Sequence, residues 1–196
     1  MKEDICAIHR FWFGPLDDAG FAAPEQNRLW FSASEDTDTA VHSRFGNLVS
    51  QALAGGLEHW AESDNGLIAL LLLLDQFTRN IYRGTPGAFA GDDMARQLAR
   101  QTIASGRHQG MPPIHQVFLF LALEHAEDLA IQRQCVQLFR QLADSSDADR
   151  IASFARYAQA HCEVIARFGR FPHRNAILGR ESSARELAYL EQHGGF

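Results

Sequence analysis

The chain has 196 residues, of which 46% are hydrophobic and 21% are charged, and this composition fits one globular domain with a substantial core. The formal net charge is -6, which argues against nucleic acid as the main partner because phosphate contacts need a basic surface. Lys2 is the only lysine. Chemistry that needs an internal lysine, such as pyridoxal phosphate anchoring, is therefore excluded.

The sequence also lacks the signals of a secreted or membrane protein. Cys6, Cys135 and Cys162 are an odd number of cysteines without a CxxC spacing, which argues against a disulfide framework and suits a reducing cytoplasm. The acidic N-terminal segment has no apolar stretch typical of a signal peptide. The most apolar run, residues 67–74, is shorter than the roughly 20 residues that span a bilayer. We expect a cytoplasmic protein without a membrane segment.

Apolar residues recur at spacings of three and four along most of the chain, which predicts helices, and no segment shows the alternation of a β-strand. Asp92 or Asp93 is expected to cap one helix, and residues 144–149 are expected to form a polar linker. The predicted helices, in chain order, are Ile5 to Gly14, Pro24 to Phe31, Val41 to Leu53, Leu67 to Tyr82, Met94 to Gly106, Pro113 to about Asp128, Ile131 to Leu142, Ile151 to Phe168, and a last helix capped by Ser182 or Ser183. The sequence therefore predicts a single all-α domain over residues 1–196 with about eight helices, as an irregular bundle or a right-handed stack of helical hairpins.

The first of three polar segments, residues 75–80, ends the leucine-rich run. Asp75 and Arg79 are four residues apart, so they share a helix face and can form an ion pair. A charge in a buried helix must be paired or functional. The alternative to a functional site is a structural ion pair, with Asn80 and Arg83 facing solvent.

The second polar segment, residues 124–128, follows a run of Phe and Leu. Adjacent residues on a helix point about 100° apart, so Glu124 and His125 are not expected to face one small ligand together. His125, oriented against a carboxylate, could act as a general acid or base, or it could be a satisfied core histidine. Glu127 is expected to be solvated. His161, on an apolar stripe, could be a core histidine or could line the same cavity as His173.

The third polar segment, residues 169–180, contains three arginines in a loop broken by glycine and proline. Arg170, Arg174 and Arg180 are planar donors that could bind a small anion, with His173 as proton donor. The alternative is a structural network in which these arginines cap helices and pair with Asp75 and Glu124. HExxH and ExxH motifs are absent from the sequence, so no metal or cofactor is predicted, although a site assembled from distant histidines stays open.

Three strings carry a family resemblance: LLLLDQFTRNIYRGTPGAFAGD, FLFLALEHAEDLA and RFGRFPHRNAILGR. In this order they are similar to a bacterial family catalogued as domain of unknown function 924, and the resemblance covers nearly the whole chain. It implies a tetratricopeptide-like helical fold and no assigned activity. The chain departs from the family pattern at Ala122, Leu123 and Ala126, where the family usually has Pro, Phe and Ser.

The leading hypothesis is a polar pocket that binds a small anionic molecule or a peptide carboxylate, with acid/base catalysis as a further expectation. The candidate catalytic residues are His173, His125, Asp75 and Glu124. The candidate ligand-binding residues are Arg79, Asn80, Arg170, Arg174, Asn175 and Arg180. The alternative is a tetratricopeptide-like scaffold that holds a peptide or protein partner in a groove.

Overall fold

A computed structural model describes residues 1–195, and within them the chain is helical and contains no β-strand. This confirms the all-α prediction; the tetratricopeptide-like stacking stays a prediction. None of the helices in this part of the chain is both long and apolar enough to cross a membrane. The helices are α1 (Lys2–Trp12), α2 (Gln26–Phe31), α3 (Glu35–Leu53), α4 (Asp64–Leu71), α5 (Thr78–Ile81), α6 (Asp92–Ala104), α7 (Pro113–Glu124), α8 (Leu129–Ser145), α9 (Ala148–Phe168) and α10 (Ala184–His193).

The chain divides into two compact units. Unit 1 comprises Met1–Arg83 and Gly87–Ala122, and unit 2 comprises Gly84–Pro86 and the chain from Leu123 onward. The prediction of a single domain over residues 1–196 stays a prediction.

Unit 1 is built around the predicted leucine-rich helix. The segment from Asp64 to Ile81 is continuous, but its middle, Leu72–Phe77, is a π-helical turn in which every residue is buried. A π-turn inserts one residue into the helical repeat and is frequent at functional sites. The main chain of Gly91 lies directly against this turn, because a Cβ atom there would be 2.8 Å from the carbonyl carbon of Leu74. Glycine at this position therefore lets the start of α6 approach the π-turn.

Unit 2 contains a helical hairpin, a loop and a terminal helix. Helices α8 and α9 pack along each other and are joined by only two residues. The side-chain oxygens of Asp128 and Asp147 cap the first turns of α8 and α9. Gly169 ends α9 with a φ of 72°, as a C-terminal glycine does. The loop then contains a short 3-10 turn at Pro172–Arg174, and Ser183 caps α10.

Two local predictions are wrong and one is confirmed. Helix α6 starts at Asp92 after Gly91 and has no side-chain cap, because the Asp92 carboxylate binds Arg79 instead. The predicted break near Asp128 is present, because α7 ends at Glu124 and Asp128 is the cap of α8. The predicted linker over residues 144–149 is shorter than expected, because α8 and α9 extend into it.

Candidate functional site

In unit 1 the predicted pair of Asp75 and Arg79 is present. Asp75 is buried, and its Oδ1 lies 3.1 Å from Nη1 of Arg79. The same guanidinium donates two hydrogen bonds to the carboxylate of Asp92, at 2.8 and 3.1 Å. Arg79 is thus held between two carboxylates, one on its own helix and one at the start of α6. This arrangement fixes the start of α6 against the π-turn.

Asn80 and Arg83 do not simply face solvent, contrary to the expectation for a structural pair. Asn80 Nδ2 donates to Asp38 Oδ1 at 2.7 Å, and Arg83 donates to both oxygens of Asp38 at 2.6 and 2.7 Å. The hydrogen bond from Arg83 lowers the pKa of Asp38, and burial opposes it. These contacts tie the end of α5 to the first turn of α3, and Asp38 is a partner that the sequence patterns did not reveal.

In unit 2 a buried carboxylate meets a buried imidazole. Glu124 and His161 are 3% and 6% exposed, and Nδ1 of His161 lies 3.2 Å from Oε1 of Glu124. The same Nδ1 is 2.9 Å from the carbonyl oxygen of Tyr157. A carbonyl oxygen only accepts hydrogen bonds, so Nδ1 carries the proton of the neutral ring. Nε2 of His161 therefore carries the lone pair. In this tautomer the ring can accept a proton at Nε2, as a general base does.

Further polar groups surround this pair. The ring of His125 is 6.4 Å from that of His161, and the buried ring of Phe171 is 5.4 Å from it. The ring centroids of His173 and Phe171 are 5.7 Å apart. The guanidinium carbon of Arg174 lies 4.5 Å from the centroid of the Phe171 ring. Phe171 thus serves as a packing centre for two histidines and an arginine. We call Glu124, His125, His161, His173 and Arg174 the histidine cluster.

The expectation that Glu124 and His125 point apart on one helix is wrong. Because α7 ends at Glu124, His125 lies in the following turn, and both residues approach His161. The buried side chain of Gln132 fixes this turn by donating to the carbonyl oxygens of Glu124 and Ala126. An early helix end therefore brings a carboxylate and an imidazole to the same partner.

Electrostatics keep the ring of His161 neutral. Burial lowers the pKa of His161 to about 3, against the hydrogen bond to Tyr157, and the positive charges of His125, Arg174 and His173 lower it further. Arg174 is itself buried and donates from Nη1 to the carbonyl oxygen of His125 at 3.1 Å. The side chains of Arg174, His125 and His173, which can all carry a positive charge, thus lie close to His161.

Glu127 holds the loop next to the histidine cluster and is not the solvated residue that the sequence suggested. Its carboxylate accepts two hydrogen bonds from Arg180, at 2.6 and 2.9 Å, and one from the backbone N–H of Phe171 at 2.7 Å. Burial raises the pKa of Glu127, but the hydrogen bonds from Arg180 and Phe171 outweigh it and hold the pKa below its usual range. Arg180 also donates to Asn175 Oδ1 at 3.0 Å. Glu127 thereby fixes the backbone from which His173 and Arg174 extend.

Glu186 anchors the loop from its other side. Its carboxylate accepts hydrogen bonds from Arg170 at 2.7 and 2.9 Å, from Asn175 at 3.3 Å and from the backbone N–H of Ser183 at 2.7 Å. The Arg170 hydrogen bond is the main reason why the pKa of Glu186 lies far below its usual range. The sequence offered a signal for this residue, because Ser183 followed three positions later by Glu186 is a capping box.

The structure therefore distributes the predicted site residues as follows. Unit 1 holds Asp75, Arg79 and Asn80 in ion-pair and hydrogen-bond contacts with Asp92 and Asp38. In unit 2, Arg170, Asn175 and Arg180 bind acidic partners in the loop, whereas Glu124, His125, His173 and Arg174 belong to the histidine cluster together with His161. The acidic partners of Arg170 and Arg180 are Glu186 and Glu127, not the predicted Asp75 and Glu124. Among the described side chains, no group of three or more His, Cys, Asp or Glu is arranged to hold a metal ion.

The described part of the chain is an all-helical protein in which the polar segments form loop anchors and a partly buried histidine cluster. Residues 8–194 match the family described as bacterial protein of unknown function (DUF924), and the chain belongs to this family. A solved structure of a protein of unknown function, ATU0120 from Agrobacterium tumefaciens, is similar, with 35% sequence identity and a TM-score of 0.82. The similarity covers 97% of this chain and 98% of that one. Among curated proteins, nothing matches.

Proposed function

We propose that unit 2 binds a small anion, carrying a carboxylate or phosphate group, at the histidine cluster. The observation that supports this proposal is that two imidazoles, of His161 and His173, and the buried guanidinium of Arg174 pack around Phe171, while the ring of His125 lies 6.4 Å from that of His161. Groups that can carry positive charge repel one another when they lie close together, and such arrangements are typical of functional sites rather than of stability. An anion placed among these groups relieves the repulsion and gains charge-assisted hydrogen bonds.

Each member of the cluster has a role in this proposal. Arg174 supplies a permanent positive charge and planar donors for the anion. His125 and His173, which are partly exposed, meet the ligand and exchange protons with it. Glu124 orients His161, whose Nε2 accepts a proton or a hydrogen bond. The reaction class that this arrangement suits is proton transfer to or from a ligand held by its anionic group.

The remaining arginines of the loop have a supporting role in the proposal. Arg170 and Arg180 are each bound by a carboxylate through two hydrogen bonds, so they position the loop rather than contact the ligand. Asn175 links them, since it donates to Glu186 and accepts from Arg180. The prediction that Asp75, Arg79 and Asn80 belong to the same ligand site stays a prediction.

The proposal is tested by titrating the purified chain with inorganic phosphate and, separately, with succinate, while the NMR signals of the histidine C–H groups are followed. We expect saturable shifts in the signals of His125 and His173. Arg174→Gln is expected to raise the Kd about tenfold or more, because a charged hydrogen bond is lost. The control is Arg156→Gln, which removes an exposed arginine of the same unit.

Two results would overturn the proposal: neither anion gives saturable shifts, or Arg174→Gln binds as tightly as Arg156→Gln. Thermal unfolding of both variants is measured alongside, so that a loss of binding is not mistaken for a loss of fold. A peptide acid compared with its C-terminal amide tests a protein carboxylate as the ligand, because only the acid carries the charge.

A further inference from the structure

A pair of imidazoles in unit 1 lies outside the site described above. The ring centroids of His9, on α1, and His115, on α7, are 5.0 Å apart, with an angle of 69° between the ring planes. His115 is 4% exposed, and neither of its ring nitrogens has a hydrogen-bond partner within the described chain. Buried polar groups without a partner are rare in native proteins and indicate a bound water or ion, or a functional role. The nitrogens of His115 are thus available to a ligand.

The hydrogen bond of His9 determines which of its nitrogens can act as a ligand. Nε2 of His9 lies 2.8 Å from the carbonyl oxygen of Asn65. A carbonyl oxygen only accepts hydrogen bonds, so Nε2 carries the proton and Nδ1 carries the lone pair. Histidines that bind metal ions usually donate their other N–H to a carbonyl or carboxylate oxygen, which fixes the ring and makes the ligating nitrogen more basic. His9 has this arrangement with Asn65.

The separation of the two rings matches that of two imidazoles on one tetrahedral ion. A Zn–N bond is about 2.0–2.1 Å long, which places each ring centroid about 3 Å from the ion. Two ligands at a tetrahedral angle then have centroids about 5 Å apart, whereas a linear pair has them about 6 Å apart. The observed 5.0 Å agrees with the tetrahedral value. Because no hydrogen bond holds the His115 ring, rotation about its Cβ–Cγ bond can turn a nitrogen towards the ion while the centroid stays nearly in place.

The surroundings of the pair suit a cation with incomplete protein coordination. Burial lowers the pKa of both His9 and His115, so both rings are neutral at pH 7 and keep a lone pair. Asp64 favours positive charge at His115, but its Oδ1 accepts a hydrogen bond from Nε of Arg107 at 2.6 Å. Among residues 1–195, no third His, Cys, Asp or Glu is placed to close the site. An ion held by the two imidazoles therefore keeps open positions, as catalytic zinc ions do.

We propose that His9 and His115 bind one divalent transition-metal ion of the zinc type, with coordination positions left for water or a substrate. Imidazole nitrogen suits Zn²⁺, Ni²⁺ and Cu²⁺, whereas Mg²⁺ prefers oxygen ligands. Because the protein supplies only two ligands, we expect a Kd on the order of 10 µM, weaker than that of a closed four-ligand site. The site is separate from the anion site proposed for unit 2 and does not depend on it.

The proposal is tested by calorimetric titration of the full chain with Zn²⁺, after treatment with a chelator. The Kd is expected to rise about tenfold or more in His115→Phe and in His9→Gln, because each variant loses one of two nitrogen ligands. His115→Phe keeps an aromatic ring next to Phe13, and His9→Gln replaces a partly exposed residue, so the test stands if one variant fails to fold. The control is His59→Gln, at an exposed histidine of unit 1. Thermal unfolding without metal checks the fold of each variant.

The residues that hold the ion are identified with Co²⁺, a paramagnetic ion that accepts the tetrahedral ligands of Zn²⁺. We expect the C–H NMR signals of His9 and His115 to shift or broaden, and tetrahedral Co²⁺ absorption to appear in the wild type and His59→Gln but not in His115→Phe. The proposal is overturned if the wild type shows no saturable Zn²⁺ binding, or if neither His115→Phe nor His9→Gln changes the Kd. It is also overturned if Co²⁺ affects the histidine cluster of unit 2 and leaves His9 and His115 unchanged.

Discussion

Replacing Glu127 with glutamine tests whether this carboxylate is the anchor of the loop. In the native chain it accepts two hydrogen bonds from Arg180 and one from the backbone N–H of Phe171. Glutamine keeps the size of the side chain but removes the charge and one acceptor, and it leaves the guanidinium without its counter-ion. The variant therefore tests the effect of the charge of Glu127 while the size and shape of the side chain stay nearly the same.

The size of the expected loss of stability follows from the burial of Glu127 and Arg180. A hydrogen bond to a charged group contributes about 1.5–3 kcal/mol to stability. The side chains of Glu127 and Arg180 are each 25% exposed, so solvent screens part of this. We expect Glu127→Gln to lower the free energy of unfolding by about 2 kcal/mol. For a chain of this size, that corresponds to a decrease in Tm of about 4–8 °C.

The assay is thermal and urea unfolding of the wild type, Glu127→Gln and Glu163→Gln. Glu163 is an exposed residue of α9 whose carboxylate accepts a hydrogen bond from Gln159, so its replacement is expected to change stability by less than about 0.5 kcal/mol. The low pKa of Glu127 adds a pH signature. Its contribution is complete above the ordinary carboxyl pKa and is lost as the pH falls through the lowered value in the folded chain. Equal stability of the two variants at pH 7 would refute the role of Glu127 as an anchor.

Two further predictions concern unit 1. Gly91→Ala is expected to lower the free energy of unfolding by about 3 kcal/mol in urea titrations, because its Cβ would overlap the backbone of Leu74, whereas Gly110→Ala should change little. His115 is buried without a hydrogen-bond partner for either ring nitrogen, and burial lowers its pKa to about 3. The unfolded chain therefore binds a proton that the folded chain does not, and stability falls as the pH drops below about 6.5. Between pH 7 and pH 5 the wild type should lose about 2 kcal/mol more than His115→Phe; equal losses would contradict this reasoning.

The sequence predicted those parts of the structure that depend on local periodicity and on residues close in the chain. The helical spacing of apolar residues predicted the buried face of α9, and Gly169 predicted where α9 ends. A glycine in the left-handed conformation terminates a helix whatever the helix packs against. The pair of Asp75 and Arg79 was predictable from their four-residue spacing. The three polar segments were also identified, since charges at the ends of apolar helices need partners.

The partners themselves were decided by the tertiary structure. Glu127 and Arg180 are 53 positions apart, and no spacing rule connects them. The same holds for Glu124 and His161, which meet because α7 ends one residue before His125 and α9 packs on α8. The end of α7 follows from the cap at Asp128 and from Gln132, whose contacts exist only once α8 has formed. Local sequence thus determined which segments are helical and where charge accumulates, whereas long-range packing decided which arginines are bound by acids and which histidines share a site.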